Sequence, residues 1–255
     1  MDTVIDVRDD GPVRTLTLTG ERRLNAIAET TADSLHDEII AAERCDSVYA
    51  LVLTGAGAHF SAGGDAENVA EVVDDVSDDA LIRFMRAYQR AATAVWNSPL
   101  PVIASVSGVA YGGAFNLAMA CDLVVCSRDA RFCQVFLRRG VVPDFGGAYV
   151  LPRLVGMRKA KEMMFLADEV DADTALELGL VNFVEENPHD SLARATSLAH
   201  RISAQSRMAV SMTKKLLHSS AGGTLQSSLE MEALSQASAL GSSGSQVAFE
   251  RFRER

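Results

Sequence analysis

A largely parallel α/β fold is what this sequence predicts, and three observations predict it. Short apolar runs suited to buried strands, such as Tyr49 to Leu53 and Val102 to Val106, alternate with stretches of helical periodicity. Glycine-rich turns separate the two kinds of segment. Beyond Asn187–Pro188 the strand signal stops, and the chain reads as helix almost throughout. With 255 residues, 48% of them hydrophobic, the chain can bury a sizeable core.

Taken in order, Val4 to Val7 and Val13 to Leu18 read as a hairpin turning at Asp9–Asp10–Gly11. Leu16 and Leu18 alternate with Thr15, Thr17 and Thr19, so one face of the second strand is buried. An amphipathic helix runs from Ala28 to about Arg44, with Ala32, Leu35, Ile39 and Ile40 inside. The strand Tyr49 to Leu53 leads into GAGAHFSAGGD, Gly55 to Asp65, a loop in which backbone approaches something closely. Asp65 and Glu67 open a helical stretch, and Glu71 to Asp79 is an acidic, solvated segment. Ser77 is a candidate cap for a helix from about Asp78 to Asn97, whose inner face holds Leu81, Phe84, Tyr88, Ala91 and Val95.

The strand Val102 to Val106 breaks at Gly108, and the pair Gly112–Gly113 opens a run of helix formers before a second apolar run, Leu123 to Cys126. Helices follow over Ala148 to Leu154, Arg158 to Leu166 and Ala172 to Leu178, then a strand over Leu180 to Val184. Four more helices cover Ser191 to Ile202, Ser206 to His218, Leu225 to Leu240 and Gln246 to Arg255. The division expected is a βα core over residues 1–187 and a helical section over residues 188–255.

Composition excludes several classes of function. Twenty-four Lys and Arg stand against 34 Asp and Glu, a net charge of −10, which does not suit a phosphate backbone. No run has the length and purity of a membrane span, and the acidic first twenty residues do not form a signal peptide. Cys45, Cys121, Cys126 and Cys133 form no CxxC pair and have no histidine at ligand spacing, so they read as reduced thiols of a cytoplasmic protein without a metal.

The chemistry is expected around Pro101 to Gly147. A strand, a glycine turn and a helix N-terminus in that order leave N–H groups without acceptors, able to hold an oxygen that becomes anionic during a reaction. Asp144, in VVPDFGG, has two readings: an N-cap for the next helix, or a reactive carboxylate whose pKa is raised by Phe136, Val141, Val142 and Phe145 around it.

Five stretches together resemble the crotonase superfamily, the enoyl-CoA hydratase/isomerase family: RRLNAI (Arg22 to Ile27), LTGAGAHFSAGGD (Leu53 to Asp65), PVIASVSGVAYGGAFNLAMACDLVV (Pro101 to Val125), GVVPDFGGAYVLPRLVG (Gly140 to Gly156) and ALELGLVNFV (Ala175 to Val184). The resemblance implies a spiral of ββα units with a C-terminal helical trimerisation region, a homotrimer or dimer of trimers, and acyl-CoA thioester substrates. Carried over position by position, it implies that the Gly64 and Gly113 N–H groups hold the thioester oxygen. It places Arg22, Arg23, Ala26, Ala62, Asp65, Asn116 and Phe136 along the CoA or acyl group. It also implies no cofactor, because the CoA belongs to the substrate. Asp65 by position alone reads as a cap or brace, as does Asp122.

Family hydratases carry two glutamates, which fall here on Asn116 and Phe136. Hydration needs a water deprotonated while the α-carbon is protonated, and neither residue can exchange a proton. Asp144 falls where the resemblance puts an aspartate in some isomerases. The expected activity is therefore 3-enoyl to 2-enoyl isomerisation with Asp144 as the single base and acid. A hydratase-like enzyme, a dehalogenase- or hydrolase-like enzyme, and a non-catalytic acyl-CoA-binding relative stay open as alternatives.

Overall fold

The computed structural model describes residues 3–20, 24–65, 69 and 78–253. Six strands form the larger sheet, in the order β1 (Val4–Asp10), β2 (Val13–Thr19), β3 (Ala50–Gly55), β4 (Val102–Val106), β6 (Leu123–Ser127) and β9 (Phe183–Glu185). The first pair is antiparallel and the rest are parallel, as expected of strands separated by helices.

Strand parity sorts the side chains between two cores. Leu51 and Leu53 of β3, with Val102, Ala104 and Val106 of β4, face one core under helices α1 (Glu29–Glu43), α2 (Asp78–Asn97) and α3 (Gly113–Ala120). Ala50, Val52, Ile103 and Val125 face the other, covered by Ala195, Leu198 and Ala199 of α7 (Pro188–Ser203). Ser105 points the same way and shares a hydrogen bond with Ser191 of α7 at 3.0 Å. The central strands are buried on both faces, so their sequences are apolar runs rather than alternations.

The second sheet is short: β5 (Val109–Tyr111) parallel to β7 (Arg131–Cys133), and β7 antiparallel to β8 (Val170–Asp171). An isolated parallel bridge from Ser61 to Ala110 extends it. Each turn of the chain thus places a strand in the large sheet and a brief pairing in the small one, then runs into a helix: β3, Ser61 and α2; β4, β5 and α3; β6, β7 and α4 (Gly147–Val155). That is the spiral of ββα units the resemblance implies.

The helices α5 (Met157–Leu166), α6 (Ala172–Glu177), α8 (Arg207–Ser220), α9 (Leu225–Leu240) and α10 (Ser243–Arg253) follow the expected ranges within a few residues. Among the described residues no helix is long and apolar enough to cross a membrane.

Three details depart from the sequence reading, and one part of it lies outside the described residues. The strands β5, β7 and β8 were not expected, because two or three residues carry no periodicity. The strand expected over Leu180 to Val184 pairs only at Phe183–Glu185, since Leu180 and Val181 instead close the turn after α6 with N–H bonds to Ala175. Ser77, Glu67 and most of the acidic segment lie outside the described residues. The first helix after Pro188 is a core helix by packing, whereas α9 has no buried residue and α8 buries only Lys214.

Candidate active site

The loop after β3 and the turn before α3 are stitched together by backbone. Ser61 donates its N–H to Val109 at 3.0 Å and accepts from Tyr111 at 3.1 Å, while Gly63 donates to the Ser61 hydroxyl at 3.1 Å. Gly63 has φ +89°, and a Cβ there would sit 2.4 Å from the Tyr111 carbonyl oxygen and 3.4 Å from the Gly113 nitrogen. No other residue type permits that approach.

Gly64 follows. Ile27 donates to Gly63 at 2.7 Å and accepts from Asp65 at 3.0 Å, a parallel bridge centred on Gly64. In such a bridge the intervening N–H points away from the partner strand, and the Gly64 N–H has no acceptor among the described residues. A Cβ on Gly64 would meet nothing within 4 Å, so this backbone borders open space.

Gly113 is the first residue of α3. Gly112 donates to Cys133 at 2.8 Å and accepts from Asn116 at 3.1 Å, which leaves the Gly113 N–H as an unused donor at a helix N-terminus. The two glycines implied as oxyanion donors therefore sit on one seam. Their N–H groups are free among the described residues.

Asp144 lies against the same seam. Among the described residues its buried Oδ1 has no hydrogen-bond partner, and it lies 3.0 Å from where a Cβ on Gly113 would stand. Burial pushes its pKa up to about 7, opposed weakly by its own backbone N–H. The N-cap reading does not hold: α4 is capped by Gly146, with no side-chain cap bond, and Asp144 contributes only its carbonyl, which accepts from Gly147 at 2.9 Å. Phe145 and Gly146 both adopt left-handed backbone, φ +46° and +77°, and this turns the carboxyl away from the helix it precedes.

The Phe145 ring packs 5.1 Å from Tyr88, and a Cβ on Gly113 would meet it at 2.9 Å. Tyr88 donates its hydroxyl to the Ile27 carbonyl at 2.9 Å, tying α2 to the loop that carries Ala26.

The other sequence-predicted positions are distributed as follows. Asn116 is buried on α3 and its carboxamide is fully engaged, donating to the Asp144 carbonyl at 2.9 Å and accepting from Gln134 at 2.7 Å. Phe136 is buried, its ring 3.6 Å from a Cβ position on Gly112. Ala26 is buried next to the Ile27–Gly64 bridge, and half-buried Ala62 donates to Leu24 at 2.9 Å. Asp65 is buried, and its carbonyl accepts from Val69. Arg22 and Arg23 lie outside the described residues.

Asp122 is a brace, accepting from the Val102 N–H and from the Lys214 ammonium, each at 2.8 Å. The His59 ring accepts from the Val109 N–H at 3.2 Å, a structural bond. Among the described residues no three His, Cys, Asp or Glu side chains converge as a metal-ligand set.

Three residues that shape the site were not singled out. Asn25 is left-handed at φ +55° and pins its loop by accepting from Gly20 at 2.9 Å and donating to His59 at 2.7 Å. Tyr88 read only as core, and Gln134 carried no signal, since its partner is 18 residues away. An asparagine closing the charged loop after Gly20 is the one local hint, for Asn25.

A family model described as enoyl-CoA hydratase/isomerase matches residues 9–255. The chain is 35% identical over 210 residues to a short-chain-enoyl-CoA hydratase of Clostridium acetobutylicum, covering 82% of this chain and 78% of that one. It is 32% identical over 221 residues to a 1,2-epoxyphenylacetyl-CoA isomerase of Escherichia coli, covering 86% and 84%. A crystal structure of an enoyl-CoA hydratase from Polaromonas sp. JS666 superposes with a TM-score of 0.94 at 27% identity, over 98% of this chain and 97% of that one. Those matches span the seam between Ser61 and Gly113 as well as the spiral that forms it, and the chain belongs to the enoyl-CoA hydratase/isomerase family, the crotonase superfamily.

Proposed function

We propose that the protein isomerises the double bond of a 3-enoyl-CoA thioester to the 2-position, with Asp144 carrying the proton. The observation behind this is the Asp144 Oδ1, buried without a partner beside the free Gly113 N–H. The two positions that hold glutamates in family hydratases offer a committed carboxamide, Asn116, and a buried ring, Phe136.

In the ionised form Asp144 takes a proton from the carbon next to the thioester carbonyl. The C–H electron pair moves into a dienolate, and the negative charge collects on the thioester oxygen. The Gly64 and Gly113 N–H groups receive that charge as an oxyanion hole, each donor lowering the barrier by about 2.7–4 kcal/mol in comparable enzymes. The carboxylic acid then returns the same proton to the γ-carbon, and the double bond shifts.

One carboxyl group serves both steps, and a pKa of about 7 suits it to accept and to release a proton near neutrality. Phe136 and Phe145 keep water from the dienolate. Arg22, Arg23, Ala26, Ala62 and Asp65 are assigned to the CoA side of the substrate. No redox group or metal enters these steps, since the CoA arrives with the substrate.

The family name covers hydratases as well, and the Escherichia coli relative is named as an isomerase. For the assembly we propose a cytoplasmic homotrimer or dimer of trimers. The exposed Leu225, Leu229, Leu234 and Leu240 of α9 would lie in its contacts.

The test is incubation with 3-enoyl- and 2-enoyl-CoA in D₂O, read by mass and absorbance. Conversion of the 3-enoyl to the 2-enoyl ester without 3-hydroxyacyl product supports the proposal. Rapid 3-hydroxyacyl-CoA formation refutes it and favours the hydratase reading.

A further inference from the structure

The geometry points to Asn116 and Gln134 as positioning residues that hold the Asp144 carboxyl beside Gly113, acting on the reaction only through Asp144. The inference rests on Asp144 as the proton carrier, but its own evidence is a chain of buried hydrogen bonds whose direction is fixed. The Asp144 carbonyl can only accept, so the Asn116 amide nitrogen must face it, as it does at 2.9 Å. The Asn116 oxygen then faces Gln134, which must donate, as it does at 2.7 Å. That orientation leaves the Gln134 Oε1 buried with no partner among the described residues.

An unpaired buried acceptor is unfavourable, and native proteins hold few of them. Here it follows directly from the demand placed on Asn116 by the Asp144 backbone.

The backbone being held is strained. Phe145, a bulky residue, sits at φ +46°, a conformation that persists only where its surroundings enforce it. Three contacts enforce it: the Asn116 bond to the preceding carbonyl, the Phe145 ring wedged between Tyr88 and Gly113, and Gly147 pressed on Asn116. A Cβ on Gly147 would fall 2.2–2.4 Å from the Asn116 side-chain atoms, so only glycine at 147 lets α4 start against that carboxamide. The Asn116 carboxamide supplies a donor to one neighbour and an acceptor to the other. Asn116 thus determines where the carboxyl of Asp144 stands, and Gln134 determines which way Asn116 faces.

The variants Gln134→Met and Asn116→Ala test this. Gln134→Met exchanges one orphan acceptor for another, leaving Oδ1 of Asn116 unpaired in place of Oε1, so the fold is expected to survive. The first readout needs no substrate: titration of the Asp144 carboxyl by ¹³C NMR in protein labelled at aspartate, the signal being assigned by its loss in Asp144→Asn. In both variants the carboxyl should relax toward water, and its pKa should fall by about one unit or more from the wild-type value. The second readout is turnover of 3-enoyl-CoA, where kcat should drop about tenfold or more while KM stays within about threefold. A folded Gln134→Met protein whose Asp144 titrates as in the wild type overturns the inference, whatever its turnover. Retained turnover in Asp144→Asn instead overturns the proton-carrier role, and the titration still decides whether Asn116 and Gln134 position that carboxyl.

Discussion

Two aspartates lie at opposite ends of α3, and they are treated in opposite ways. Asp122 follows the C-terminus of the helix and is supplied with donors: the Val102 N–H and the Lys214 ammonium, both at 2.8 Å. Lys214 also donates to the Val95 and Leu100 carbonyls at 3.3 Å, so one ion pair joins β4, α2 and α8. Asp144 borders the N-terminus, where N–H donors are plentiful, and its Oδ1 bonds to none of them. A carboxylate that braces a fold is surrounded by partners. The Asp144 carboxyl is kept from them, its pKa near 7 follows from that burial, and this is the environment the proposed proton carrier needs.

Asp144→Asn should break this comparison most severely. It keeps the shape and removes the proton carrier for both transfers, so kcat/KM for 3-enoyl-CoA isomerisation should fall by about 10³–10⁴, some 4–5.5 kcal/mol. Steady-state assays, alongside a binding measurement with a non-reactive acyl-CoA, check it. A fall below about tenfold with binding intact would remove Asp144 from the chemistry.

Lys214→Ala sharpens the other side. It strands Asp122 and unpairs two buried carbonyls, and loss of one partner of a buried pair costs about 2–4 kcal/mol where water reaches part of the site. Thermal unfolding should drop by roughly 5–12 °C for a chain of this size, with kcat of the folded enzyme unchanged. A loss of kcat with unaltered melting would mean that the two carboxylates are not as separate as their surroundings indicate.

Much of this contrast was legible beforehand, and the reasons for the rest are local. Asp144 stood out because apolar residues flank it and both hydratase positions had lost their glutamates. Of those neighbours only Phe136 and Phe145 are buried, while Val141 and Val142 face solvent and cannot desolvate it. The choice between cap and reactive group was not readable, since Pro-Asp before Phe-Gly-Gly suits a helix start. The cap reading is removed by Phe145 and Gly146 taking left-handed backbone, a conformation that reads off a glycine but not off a phenylalanine. The large sheet was legible strand by strand because apolar runs of five or six residues report burial on both faces. The small sheet was not, yet β5 and its bridge to Ser61 are what bring Gly64 and Gly113 to one seam. Asp122 reads from sequence as a cap or a brace, and only the structure selects the brace, because its partner on α8 lies 92 residues away and leaves no local trace.

Gly113→Ala probes the boundary between the free N–H and the free carboxyl with a smaller change. The added methyl would stand 2.9 Å from the Phe145 ring and 3.0 Å from the Asp144 Oδ1, close enough to force both to shift. Overpacking of this kind costs about 1–3 kcal/mol, and the donor itself is retained. We expect kcat to fall about thirtyfold, near 2 kcal/mol. Gly64→Ala serves as the reference for folding, because its methyl enters open space and should leave the melting temperature unchanged. Equal melting losses in the two variants would show that the crowding at Gly113 is relieved without disturbing Asp144.

The last and smallest effect is a stability that depends on pH with an unusual sign. Asp144 has a folded pKa of about 7 against an ordinary value near 3.8, so the folded protein holds a proton that the unfolded chain releases. The protonated fold has its full advantage below about pH 4, and that advantage is lost as pH rises through about 7. Asn at 144 never ionises. Asp144→Asn should therefore match the wild type at pH 4 and exceed it at pH 8 by about 1–2 kcal/mol, a value reduced from the full shift because the side chain is partly exposed. Denaturant unfolding at the two pH values measures the difference directly. The same variant would then be the least active and the more stable form at pH 8, which is expected only if the carboxyl is buried for chemistry. Equal stability at both pH values would mean that the Asp144 carboxyl reaches water in solution, and the raised pKa would go with it.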